Sequence, residues 1–148
     1  SLSTNNHRLQ GYLDALEKNG LPILKEMIVY AKGFNHKDGI APTKTLLNPN
    51  NVPDAIFTVN DRLAVSAMRT AKKLNYKIPD DISIIGFDDE PHSSYFTPAL
   101  SSVWQPVYSM GMLSARILLQ EINKESAEFR KEVFRTELVI RGTSRKIT

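Results

Sequence analysis

At 148 residues, with 41% hydrophobic and 24% charged side chains, the chain has the composition of one globular domain with a sizeable core, not that of a disordered segment. The net charge of +3 is dispersed over the sequence without a Lys/Arg block, so these residues carry no footprint for nucleic acid. Absence of cysteine excludes disulfide frameworks, thiol catalysis and thiolate zinc sites and fits a reducing cytoplasm, and no apolar run has the length of a membrane span.

No signal peptide opens the chain, and the abrupt Ser1-Leu2 start leads us to expect a piece of a longer protein. Leu9, Tyr12, Leu13 and Leu16 share one face of a predicted helix that stops at Asn19-Gly20, with Pro22 just beyond. Residues 27–30 form a short apolar strand candidate ended by Gly33. Residues 40–47 read as a short helix with Pro42 in its first turn. Residues 55–59 have the continuous apolar character of a fully buried strand. The clearest helix follows, with Leu63, Ala64, Ala67, Met68, Ala71 and Leu74 at helical spacing and Asn75 closing the run.

After Pro79, the β-branched run from Ile82 to Ile85 leads into Gly86-Phe87 and then two acids, Asp88 and Asp89. A strand over 101–104 closes at Pro106. A further helix carries Met110, Leu113, Ile117, Leu118 and Ile122 on one side. Residues 123–131 form a charged, solvated connection. The last strand, 133–140, alternates Phe134, Thr136, Leu138 and Ile140 with Arg135 and Glu137, which predicts an edge position. Helices alternating with apolar strands predict an α/β domain with a mostly parallel, doubly wound sheet. Ligands of such sheets sit outside the carboxyl ends of the strands, where Asn60-Asp61 and Asp88-Asp89 lie.

Each candidate has a plain structural role beside the functional one. Asn60 and Asp61 have the chemistry of helix N-caps, and Asp88 and Asp89 that of turn residues. Catalysis by the Asp pair is disfavoured, because adjacent residues on an extended chain point to opposite faces. No nucleophile, base or metal ligand set is recognisable by spacing, so neither a catalytic residue nor a metal or cofactor site is assigned. His7, His36 and His92 are isolated, and Gly33 and Gly39 match no phosphate-binding loop. One Asp accepting hydrogen bonds from neighbouring hydroxyls needs no further partner, so binding is the more economical role. Phe34, between Gly33 and Asn35, is placed either to pack in the core or to stack on a sugar or base.

The segment "AIFTVNDRLAVSAMRTAKKLNYKIPDDISIIGFDDEPHSSYFTPALSSVWQP" resembles the C-terminal part of the effector-binding domain of LacI/GalR-family transcription regulators. "HRLQGYLDALEKNGL" and "TELVIRGTS" resemble the family's first helix and last strand, so the likeness spans nearly the whole chain. It implies a periplasmic-binding-protein-like (type I) fold, with residues 3–105 and 132–144 in the C-terminal lobe and 106–123 as the crossover helix of the other lobe. It implies ligand contacts by Arg8, Phe34, Asn60, Asp88 and, less firmly, Gln105. Asp89 is implied to be structural, and Arg8 to help keep Asp88 ionised. The implied ligand is a small hydroxylated metabolite of the sugar class. The implied assembly is a homodimer built partly on Ala64, Met68, Tyr95 and Phe96, and ordinary core packing is the competing expectation for Met68.

The expected function is ligand control of operator affinity in a cytoplasmic, non-enzymatic regulator that touches no membrane. DNA would be bound only through a helix-turn-helix absent from this chain. A periplasmic sugar-binding protein of a transport or chemotaxis system is the alternative. The family's helix and strand before "STNNHRLQGY" are also absent, and that strand would lie inside the sheet. The lobe is therefore expected to be incomplete at its N-terminus, to expose apolar surface and an open edge, and to bind its effector weakly.

Overall fold

The computed structural model describes residues 3–123 and 131–145. Helix α1 (Ser3–Lys18) ends as the sequence predicts. Gly20 adopts φ 65°, the Leu21 N–H reaches the Leu16 carbonyl at 2.9 Å and the Gly20 N–H reaches that of Glu17 at 3.0 Å, which closes the helix by a left-handed cap. Helix α2 (Ile40–Leu46) contains Pro42 in its first turn, where a missing N–H costs nothing. Strand β1 (Ala55–Phe57), helix α3 (Asp61–Lys73), strand β2 (Ser83–Asp88), strand β3 (Ser101–Trp104), helix α4 (Val107–Ile122) and strand β4 (Glu137–Val139) complete the order.

The sheet runs β1-β2-β3-β4, the first three strands parallel and β4 antiparallel at the edge beside β3. The edge position of the last strand follows the alternation in its sequence, although the ladder covers only three of the residues expected to be extended. Ile56, Ile84, Gly86 and Ser102 share one face through the register, and α3 packs on it. Ile84, Ile82 and Leu100 are fully buried there, with Ala64, Ala67, Met68 and Ala71 of α3 above them. On the opposite face Phe57 and Phe87 meet edge to face, 6.5 Å between ring centroids, and the Arg8 guanidinium of α1 lies 3.8 Å over the Phe87 ring. Helices thus flank both sides of the sheet.

Two strand expectations require correction. Residues 28–30 are in no ladder; a 3-10 turn (Lys25–Met27) precedes them. β1 is three residues long and only its Ile56 is buried, whereas 55–59 was expected to be a fully buried strand. One physical cause serves both. A cavity of about 510 Å³ separates the 27–34 segment from β1, lined by Ile28, Val29, Ala55, Phe57 and the α1 residues Leu9 and Tyr12. Each segment has its apolar side chains facing a space where a neighbouring strand would supply hydrogen bonds, so neither becomes a two-sided strand. This opening lies beside β1, at the edge of the sheet. α4 packs differently from a core helix: none of its residues is buried, and Met112, Leu118, Leu119 and Ile122 are exposed. Most of the charged connection, 124–130, lies outside the described residues.

Candidate functional site

The carboxyl ends of the parallel strands converge on a group of polar side chains, each delivered by a different element. β2 ends in Asp88 at φ 104° and continues into Asp89 at φ 48°, two successive left-handed non-glycine residues. Such backbone costs of order 1–3 kcal/mol per residue and persists only where its surroundings over-determine it. Asp88 Oδ1 accepts a hydrogen bond from Gln105 Nε2 at 2.6 Å, and Arg8 Nη2 stands 3.4 Å from the same oxygen. Arg8 also donates to the carbonyl of Val59 just after β1. Arg8, Asp88 and Gln105 therefore form one contiguous cluster across three strand ends.

Asn60 does two things. Its Oδ1 caps α3 by accepting from the Leu63 N–H at 2.9 Å, and its Nδ2 donates to the Phe34 carbonyl at 3.2 Å. The amide that starts the helix thereby also holds the loop carrying Phe34, a residue 39% exposed that lines the cavity beside β1. Arg8, Asp88 and Gln105 are joined by direct contacts and Asn60 holds Phe34, and the two groups meet through the Val59–Asn60 backbone, where Arg8 donates to the Val59 carbonyl.

Burial pushes the Asp88 carboxyl above its ordinary 3.8, and the nearby charges of Asp61 and Glu90 push the same way. Arg8 and the Gln105 hydrogen bond pull it down without prevailing. The expectation that Arg8 keeps Asp88 ionised is right in direction but outweighed, because withdrawal from water is the larger effect. Asp89 is engaged differently: Arg141 Nη1 and Nη2 reach its two carboxylate oxygens at 2.6 and 3.1 Å, a bidentate pair between the β2 end and the chain after β4.

The sequence marks Asp61 as a strand-end acid and helix-cap candidate but not as a buried hub. It looks like one more acid in a first helical turn, yet it is fully buried and accepts from Ser102 Oγ at 2.5 Å, Ser93 Oγ at 2.6 Å and the Glu90 N–H at 2.8 Å. The signal that could have found it is Gly86, a lone glycine in a β-branched strand, which marks a close approach. A Cβ at Gly86 would come within 2.1 Å of Asp61 Oδ1.

The four residues expected at a dimer interface part company. Ala64 is 0% and Met68 5% exposed, both inside the hydrophobic core, because the α3 stripe faces the sheet; neither offers a surface to a second chain. Phe96 is partly buried against that core, while Tyr95 is 81% exposed. Among the described residues no group of three His, Asp or Glu side chains gathers as a metal site, and no helix is long and apolar enough to cross a membrane.

An open-ended parallel sheet with a polar cluster at its carboxyl ends is the architecture of a ligand-binding lobe. Residues 1–144 match the periplasmic binding protein-like domain, and the chain belongs to that family. Its relatives are LacI-type regulators. It is 36% identical over 145 residues to a probable HTH-type transcriptional repressor, ExuR, of Bacillus subtilis (strain 168), covering 98% of this chain and 43% of the relative. Among solved structures it resembles the transcriptional regulator CelR in complex with cellobiose (TM-score 0.87, 31% identity, 93% of this chain and 42% of the other). It also resembles the lac repressor dimer bound to operator and an anti-inducer (TM-score 0.84, 27% identity, 95% and 48%). The chain spans less than half the length of each of these three proteins.

Proposed function

We propose that this chain is the ligand-sensing part of a cytoplasmic LacI-type transcription regulator whose effector is a small hydroxyl-rich metabolite of the sugar class. The observation that carries the reading is the Arg8–Asp88–Gln105 cluster, an acceptor and two donors brought together at the strand ends, with an exposed Phe34 on the loop that Asn60 holds. A carboxylate takes hydrogen bonds from neighbouring sugar hydroxyls, the guanidinium and amide donate to others, and an aromatic ring covers the apolar face. Nothing in this arrangement calls for a reaction, and repressor relatives favour a regulator over a secreted binding protein.

In this reading residues 3–105 and 132–144 form the C-terminal lobe, 106–123 cross to a second lobe, and the space beside β1 takes the absent strand. That no residue of α4 is buried supports its membership of another lobe. Tyr95 and Phe96 remain the candidates for dimer contact, and operator binding belongs to a helix-turn-helix elsewhere in the whole protein. The effector binds one relative orientation of the lobes better than the other and so alters operator affinity by that difference.

Calorimetric titration of the full polypeptide with cellobiose, sucrose, ribose and gluconate tests the reading. Asp88→Ala and Arg8→Ala each remove a charge-assisted hydrogen bond, an effect of about 1.5–3 kcal/mol or roughly 10- to 150-fold in Kd. Unchanged affinity in both variants, or no binding of any of the four probes, overturns it.

A further inference from the structure

The turn that carries Asp88 is tied to one buried carboxylate, Asp61. Asp89 and Glu90 follow Asp88 directly, and both of their backbone N–H groups are tied to Asp61. The Glu90 N–H donates to Asp61 Oδ2 at 2.8 Å. The Asp89 N–H donates to Ser102 Oγ at 3.1 Å, and that hydroxyl donates onward to Asp61 Oδ1 at 2.5 Å. The Ser93 hydroxyl also donates to Oδ2, at 2.6 Å, bringing in the 3-10 turn (Pro91–Tyr95) that follows the loop. Arg141 restrains only the side chain of Asp89.

Resting on the reading that Asp88 receives the ligand, we propose that Asp61 is a positioning residue for binding: it fixes the left-handed Asp88–Asp89 turn and so sets where the Asp88 acceptor stands. Two consecutive left-handed non-glycine residues relax unless the amides after them are anchored, and the anchor converges on this one side chain. Its place is narrowly defined, because the backbone of Gly86 passes where no Cβ would fit. Asp61 itself is buried and makes its contacts only within the fold.

A double-mutant cycle separates positioning from general stability. Affinity for the tightest-binding of cellobiose, sucrose, ribose and gluconate is measured in the full polypeptide for wild type, Asp61→Ala, Asp88→Asn and the double variant. Positioning through Asp88 predicts that Asp61→Ala weakens binding about tenfold in the wild-type background and leaves it unchanged in the Asp88→Asn background. Asp61→Asn, which can still accept from Glu90 and Ser93, recovers most of the loss. If circular dichroism shows Asp61→Ala unfolded, Ser102→Ala takes its place; it cuts only the relay to Asp89 and is expected to give a smaller loss with the same dependence on Asp88. Equal losses in both backgrounds, or no loss in either, overturn the inference while the functional reading stands. An Asp88→Asn protein that binds as tightly as wild type overturns the functional reading, and absence of binding by every probe overturns both.

Discussion

The Asp88 carboxyl is only partly withdrawn from water, yet burial outweighs the pull of Arg8 and Gln105 and raises its pKa. The folded protein therefore holds this proton more tightly than the unfolded chain does. As pH rises through the unfolded value of 3.8 and on through the folded one, ionisation of Asp88 subtracts from stability, and above that window the loss is complete. An uncharged Asp88→Asn protein escapes the loss. Its urea midpoint is expected to exceed that of wild type at neutral pH, with the difference shrinking as pH falls through the same window; a constant difference across pH would contradict this. Both the strained backbone and the raised pKa count against folding stability at Asp88, which fits the ligand-presenting role proposed for it.

Among the elements, helices were the most legible part of the sequence, because their apolar period is local. α1, α3 and α4 stand where the spacing of their apolar residues predicts, and α2 lies within the short helix expected over 40–47. Strands depend on neighbours: 27–30 forms no strand and 55–59 pairs only over 55–57, and the cavity lies between the two. The stripe of α3 shows that Ala64 and Met68 are covered but not by what; the sheet covers them, not a second chain. At the site, Arg8, Asp88 and Gln105 were legible through the ordered motifs. The buried role of Asp61 was hidden because its partners, Ser93 and Ser102, are remote in sequence and ordinary in type.

The tail after β4 shows the same non-locality. Thr143 is fully buried; its hydroxyl donates to the Ile84 carbonyl at 2.6 Å and accepts the Ser101 N–H at 2.8 Å, stitching β2 to β3. Thr143→Val keeps the shape and strands both backbone groups, so a loss of about 1–3 kcal/mol for each is expected in chemical denaturation. A loss below about 0.5 kcal/mol would mean the stitch is not needed.

At the scale of the whole molecule, an open β1 edge and a bare α4 leave much apolar surface uncovered, including Leu118, Leu119, Ile122, Phe57 and Tyr95. Residues 1–148 alone are therefore expected to self-associate with rising concentration and to bind a hydrophobic dye, as light scattering and fluorescence would show; a monodisperse, dye-silent monomer would count against it. The cavity beside β1 has one more consequence. Every fully or nearly buried hydrophobic side chain among the described residues lies at Leu47 or later, so the core closes without α1 or the 21–31 segment. Cooperative unfolding then belongs to the region from α2 onward. Residues 6–31 are therefore expected to lose their protection from solvent exchange before the region from Leu47 onward does.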